Sequence, residues 1–129
     1  MRAFLSVKFH PDHSNGAHIE ALCQALAEQG FEPVCVVRDL EHWGAVHYEA
    51  KELMQHTRTL LESCQVVVVD LKEKGVGIGI EAGLAWARDI PVVVIAPVGA
   101  EISETLRSIA RAVCSYLQPN NLPRIPISN

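Results

Sequence analysis

Hydrophobic positions along the chain switch between two spacings. Residues 2–9, RAFLSVKF, are rich in β-branched and aromatic side chains, which predicts a strand, and the polar stretch HPDHSNG follows. Over 17–29 the spacing changes: Ile19, Leu22, Cys23 and Leu26 recur at i, i+3, i+4 and i+7, an amphipathic helix with Asn15 as its start and Gly30 as its stop. Residues 31–37 return to a strand pattern. Leu53, Met54, Leu60, Leu61 and Cys64 then repeat at helical period, with Thr57 on the same inner face. Val66, Val67, Val68 and Val69 are continuously apolar and end at Asp70, as a central parallel strand covered on both faces requires.

Glycines at 75, 77 and 79 come next and read as a loop, from which a short helix over 80–88, containing Gly83, leads to a fourth buried strand, 90–96. Ile102, Leu106, Ile109, Val113 and Leu117 predict a last amphipathic helix. The tail NNLPRIPISN either holds a short fifth strand or is loose from about residue 119. The order β-α-β-α-β-α-β-α predicts an α/β fold: a three-layer, doubly wound sheet, flavodoxin-like or Rossmann-like, of four to five mainly parallel strands with right-handed crossovers. Ligands of such sheets bind outside the carboxyl ends of the strands, which singles out 8–13, 38–43, 70–81 and 97–103.

Length and composition narrow the picture further. A chain of 129 residues suffices for one core and is short for two, so 1–129 is expected to be a single domain. The balance of 11 Lys+Arg against 15 Asp+Glu gives a net charge of -4, which argues against a nucleic-acid polymer as the main partner. No apolar run reaches membrane-spanning length, and the first residues lack the three-part pattern of a signal peptide. A cytoplasmic protein with no membrane partner is expected. Cys23, Cys35, Cys64 and Cys114 are far apart, in apolar surroundings and without Cys-x-x-Cys spacing, and read as buried thiols.

The stretch KEKGVGIGIEAG, residues 72–83, matches neither familiar phosphate-binding pattern. Its glycines do not follow the first strand as a dinucleotide fingerprint requires, and no Gly-Lys-Ser/Thr tripeptide closes a P-loop. What remains is a backbone that a ligand can approach closely, leading into a helix whose N-terminal N–H groups favour an anion. On spacing alone, Glu81 is a first-turn acid that complements the helix dipole.

A wider comparison changes that reading. The segment CQVVVVDLKEKGVGIGIEAGLA, residues 64–85, resembles the core motif of the nucleoside 2-deoxyribosyltransferase family and its nucleoside 5′-monophosphate N-glycosidase relatives. There an apolar strand leads through a glycine loop to Glu-x-Gly. ISETLRSIA, residues 102–110, resembles that family's Ser-x-x-Leu/Ile-Arg-Gly-type segment, at a fitting separation. The resemblance implies an enzyme that cleaves or transfers at the N-glycosidic bond of a nucleoside or nucleoside 5′-monophosphate, with Glu81 as nucleophile. It also implies a homodimer or higher homo-oligomer in which Ser103, donated by a neighbouring subunit, holds the 5′-phosphate. A carboxylate suits the chemistry, because attack at C1′ passes through an oxocarbenium-like state that a carboxylate stabilises and traps. No cofactor and no metal are expected.

The chain also departs from that pattern. Gap-free alignment on Glu81 places Thr57, between His56 and Arg58, where the glycosidase branch has an Asp that helps protonate the departing base. Gly75 stands where that branch has a phosphate-contacting Ser and where the transferase branch has a loop acid. The small-residue, Gly-rich loop after the first strand is replaced by KFHPDH. His10, His13 and His56 are the substitutes for the missing acid, with Asp12 beside the first two. Lys8, Lys72 or Lys74 would hold phosphate, Gly75, Gly77 and Gly79 would admit the sugar, and Asp70 either binds a ribose hydroxyl or caps a loop amide.

Plainer accounts stand beside these. Spaced loop histidines are usually solvated rather than metal-bound, Lys72-Glu73-Lys74 reads equally as a solvated turn, and His56 as half-buried and structurally satisfied. Trp43 and Trp86 would stack on a base, or Trp86 would serve packing or a subunit contact. Two other functions stay open. One is a nucleotide-binding module that kept the pocket and lost turnover with the acid at position 57. The more distant one is a Toll/interleukin-receptor-like NAD-cleaving or signalling domain, whose fold also begins with a strand and uses a helix Glu.

Overall fold

The computed structural model describes residues 1–127. Five strands, β1 (Arg2–Ser6), β2 (Glu32–Val34), β3 (Val66–Asp70), β4 (Val92–Pro97) and β5 (Ala112–Tyr116), pair in the order β2-β1-β3-β4-β5, all parallel. Leu5 pairs with Val68 and Val68 with Val93, so β3 is central and buried on both sides. That is why its valines show no alternation.

Helix α1 (Gly16–Glu28) covers one face, where Ile19, Leu22 and Leu26 pack with Leu5, Val66, Val68 and Ile95. Helices α2 (Ala50–Glu62), α3 (Val76–Ala87) and α4 (Glu104–Ile109) cover the other, where Leu61, Ile78, Ala82 and Ala85 meet Phe4, Val67, Val69 and Val94. The doubly wound three-layer expectation is met, with five strands. Among the described residues no helix is long and apolar enough to cross a membrane. All four cysteines are free; Cys23, Cys35 and Cys64 are buried and Cys114 is partly so.

The fold departs from the sequence pattern in several places. β1 stops at Ser6, leaving 7–9 to turn over the carboxyl edge of the sheet, and β2 is only three residues long. A π-helical turn, Val36–Leu40, and a 3-10 turn, His42–Gly44, follow β2 in place of the longer strand. Helix α3 starts at Val76, not at 80, so Gly77 and Gly79 are helical rather than part of a loop, while Gly83 is helical as expected.

The expected final helix ends at Ile109, since Ala110 is extended (φ -77°, ψ 139°), and Val113 lies in β5 with Leu117 just beyond it. A short apolar run fits either period; pairing with β4, from Val93–Ala112 to Pro97–Tyr116, decides it. No fifth strand forms in the described part of the tail. Instead Ile125 is buried, and the Gln29 side chain clasps the segment, donating to the Pro123 carbonyl at 3.0 Å and accepting from the Ile125 N–H at 2.8 Å. Positions 128–129 of the tail lie outside the described residues.

Candidate active site

Strand order reverses between β1 and β3, so a crevice opens at their carboxyl ends. Two pockets share it. The first, about 320 Å³, is walled by Val7, Lys8 and Phe9 after β1, by Val36, Val37 and Glu41 after β2, and by the start of α3 from Gly75 to Ile78 together with Glu81. The second, about 220 Å³, is lined by residues that include Lys8, His10, His18, Asp70, Lys72 and Glu73. Lys8 borders both.

Glu81 sits five residues into α3, about 7 Å along the axis from Val76 at 1.5 Å per residue. Dipole stabilisation of an acid fades beyond the first turn, so the dipole does not explain a carboxylate here. The side chain is half-buried, and the Ser6 hydroxyl at the end of β1 donates to its Oε1 at 2.6 Å. Burial pushes its pKa up from 4.5 to about 7, and the Ser6 hydrogen bond works in the opposite direction. Gly77 borders the same pocket, and a Cβ built on it would meet nothing within 4 Å. A mid-helix glycine costs about 1 kcal/mol relative to alanine. Among the described residues nothing lies within 4 Å of that Cβ position, which leaves the backbone there open to a ligand.

Removing the Ser6 hydroxyl therefore has a predictable consequence. Ser6→Ala deletes the contact that favours the ionised carboxylate, so the Glu81 pKa should rise further, by up to about one unit. Any reaction that needs ionised Glu81 should lose rate several-fold at pH 6 and much less at pH 8.5, read from a kcat/KM profile. An unshifted acid limb would show that Ser6 does not tune Glu81.

The other expected site residues are distributed over three places. His10 lies in the second pocket, with Nδ1 2.9 Å from Ser14 Oγ and Nε2 against the Glu73 carboxylate; it does not border the Glu81 pocket. His13, with left-handed backbone (φ 64°), packs edge-on to Phe9 at 5.2 Å. His56 is exposed on α2 rather than half-buried, its ring 5.2 Å from that of Tyr48. Thr57 is buried as the periodicity requires, but its hydroxyl is committed to the Leu53 carbonyl at 2.8 Å. Position 57 therefore offers no group to a ligand.

Gly75 caps the start of α3 in extended conformation, and a Cβ there would lie 3.8 Å from the Lys8 side chain. Gly79, Lys74 and Ser103 border a different groove, about 440 Å³, between α3 and α4, with Trp86, Leu106 and Ile109 as its apolar walls. Ser103 caps α4, its Oγ accepting from the Leu106 N–H at 3.3 Å. Within one chain, Ser103 and Glu81 border different pockets.

Asp70 is almost wholly buried. Its Oδ1 accepts from the Tyr116 hydroxyl at 2.8 Å and from the Lys72 N–H at 3.2 Å, and Oδ2 lies 2.8 Å from His18 Nε2. The loop-amide role foreseen for it is thus realised, joined by two side chains that sequence reasoning did not connect. Burial, and then the Asp70 charge, push Tyr116 well above the usual phenol range, so it remains a donor. Among the described residues no group of three or more His, Cys, Asp or Glu side chains is arranged to hold a metal ion.

Two polar residues around Glu81 went unselected in the sequence: Ser6, which bonds its carboxylate, and Glu41, which borders its pocket. Ser6 has no local signal, because its partner is 75 positions away. Glu41 lies inside the singled-out stretch 38–43 and follows a π-helical turn, a feature frequent at functional sites. Immediately after it the backbone is left-handed at His42 (φ 46°), Trp43 (φ 59°) and Gly44 (φ 93°). Such a conformation costs on the order of 1 kcal/mol at each non-glycine position and persists only where its surroundings hold it. Trp43 is held against Phe9, the ring centroids 6.0 Å apart, and Trp43 is partly buried against the core.

Comparisons with known proteins agree with this fold. The family model described as nucleoside 2-deoxyribosyltransferase matches residues 6–115. No curated protein matches the sequence significantly. Among solved structures, the CMP N-glycosidase of Clostridium botulinum is similar with a TM-score of 0.64 at 18% identity, over 92% of each chain. A 2-deoxyribosyltransferase from Bacillus psychrosaccharolyticus gives 0.69 at 14% identity, over 93% of this chain and 88% of the other. A conserved protein from Enterococcus faecalis V583 gives 0.66 at 13%, over 90% and 91%. At these identities the likeness shows a shared fold.

Proposed function

Because the chain belongs to the nucleoside 2-deoxyribosyltransferase family, we propose that it breaks the N-glycosidic bond of a nucleoside or nucleoside 5′-monophosphate, with Glu81 attacking C1′. The observation that carries this reading is Glu81 itself: a half-buried carboxylate with a pKa of about 7, oriented by Ser6, beside open helix backbone at the strand-order reversal. Ionised, it attacks C1′ as the bond to the base breaks; the sugar is held as a glycosyl ester, which water or a second base then takes.

The pocket supports a substrate of this shape. The first N–H groups of α3, at Val76, Gly77 and Ile78, have no intrahelical acceptor and border the pocket with the Lys8 ammonium, which suits a 5′-phosphate. Glu81 lies one and a half turns further along the same helix, within reach of the sugar. Ser103 belongs to a groove whose rim includes the exposed Trp86. Ile80 and Val76 add exposed apolar surface on α3. Burial of this face by a second copy is the assembly we propose, with Ser103 serving the neighbour's substrate.

A second reading draws on Thr57. With its hydroxyl committed and no acid at that position, the chain would bind a nucleotide without turnover. Purified protein incubated with ribo- and deoxyribonucleosides and their 5′-monophosphates, with free base scored by chromatography, separates the two. Base release is the expected result. A nucleotide that raises Tm with no release on prolonged incubation would favour the binding module and overturn the enzymatic reading.

A further inference from the structure

Departure of a base from C1′ leaves an electron pair on the base, and an unactivated base leaves slowly unless it receives a proton. Resting on the proposed N-glycosidic reading, we infer that Glu41 is that proton donor, sharing one pocket with the nucleophile Glu81. Both carboxylates border it, Glu81 from α3 and Glu41 from the segment after β2.

The alternatives are accounted for in the structure: His13 packs edge-on against Phe9 and is a lining residue of neither pocket. Thr57 is buried with its hydroxyl bonded to Leu53. His10 belongs to the neighbouring pocket and is engaged by Ser14 and Glu73. His56 lies exposed beside Tyr48 and borders neither pocket of the crevice. Glu41, by contrast, has no side-chain hydrogen bond or ion pair among the described residues. Its backbone is fully used: the N–H donates to the Val36 carbonyl at 3.0 Å, and its own carbonyl accepts from Gly44 at 2.9 Å and Val46 at 3.0 Å. A rigidly held backbone with an uncommitted carboxyl is what a proton-transfer residue needs. Phe9, Val36 and Val37 share the wall with it, so a base seated there would lie against apolar side chains with the Glu41 carboxyl beside it.

The chemistry balances over two steps. As a Glu81 oxygen bonds to C1′, the bond from C1′ to the base nitrogen breaks, its electron pair goes to the base, and the Glu41 proton neutralises the base. Ionised Glu41 then takes a proton from water as the water oxygen attacks C1′. The Glu81 ester bond breaks, and both carboxyls return to their starting states.

Leaving-group dependence tests this. The probes are the nucleoside 5′-monophosphate panel and the 4-nitrophenyl riboside and deoxyriboside 5′-phosphates, whose leaving group departs without protonation. Glu41→Gln should lower first-turnover base release on the order of a hundredfold while changing first-turnover 4-nitrophenolate release less than about fivefold. Azide, which attacks C1′ without needing a base, should restore steady turnover of the 4-nitrophenyl substrate. Equal losses on both substrate types, or no loss on either, would overturn the role of Glu41 while the N-glycosidic reading stands. Wild-type protein that releases neither base nor 4-nitrophenolate would overturn that reading, and Glu41 with it. Circular dichroism and Tm of the variant exclude misfolding as the cause of a loss.

Discussion

Glu81→Gln should reduce base release by at least about a thousandfold, because it removes the atom that bonds to C1′ and leaves an amide of nearly equal shape. The loss should fall on nucleotide and 4-nitrophenyl substrates alike, which separates a nucleophile from a proton donor. The variant should also be at least as stable as the wild type. Glu81 has a folded-state pKa raised from 4.5 to about 7, so its burial is unopposed below about pH 4.5 and increasingly costly as pH rises through 7. Above pH 7 the substitution should therefore gain on the order of 1 kcal/mol after allowance for solvent screening, with little gain at pH 4. Thermal melts at both pH values beside the activity assay would check this. A catalytically intact Glu81→Gln protein would sink the nucleophile assignment, whatever its Tm.

Asp70→Ala carries the largest expected stability effect. It removes the acceptor of the Tyr116 hydroxyl and of the Lys72 N–H and the carboxylate partner of His18 Nε2, leaving the hydroxyl and that nitrogen only their own 3.4 Å contact in a buried setting. Removing one partner from a buried charged network costs about 3–5 kcal/mol, and for a chain of this length Tm should fall on the order of 10–20 °C. Asp70→Asn, which keeps one acceptor, should lose less. The pair of variants discriminates between the two roles foreseen for this residue. A ribose-binding Asp70 would show selective loss on ribonucleotides in Asp70→Asn with Tm near wild type, whereas a structural one shows its effect in Tm first. No fall in Tm for Asp70→Ala would overturn the structural account.

The chain's local patterns carried the architecture further than the site. The valine run 66–69, the helical stripe Ile19-Leu22-Cys23-Leu26 and the order of the elements depend on burial and periodicity, which nearest neighbours in sequence already encode. The errors arose where two periods fit one run. Val113 and Leu117 suit a helix, yet pairing with β4 draws 112–116 into the sheet, and the glycines of 75–79 suggest a loop although Gly77 and Gly79 are wound into α3.

By itself, the sequence determined a doubly wound α/β chain, placed its ligand end at the carboxyl edge of the strands and marked Glu81 through its resemblance to one family. Its spacing could not say what faces Glu81. Ser6 lies 75 positions away and Glu41 follows a different strand, while His10 lines the neighbouring pocket. Only the tertiary structure placed these residues around one crevice, because side chains brought together across parallel strands come from distant loops. The direction each takes there is set by β1 ending at Ser6, by the left-handed turn after Glu41 and by the depth of Glu81 in α3.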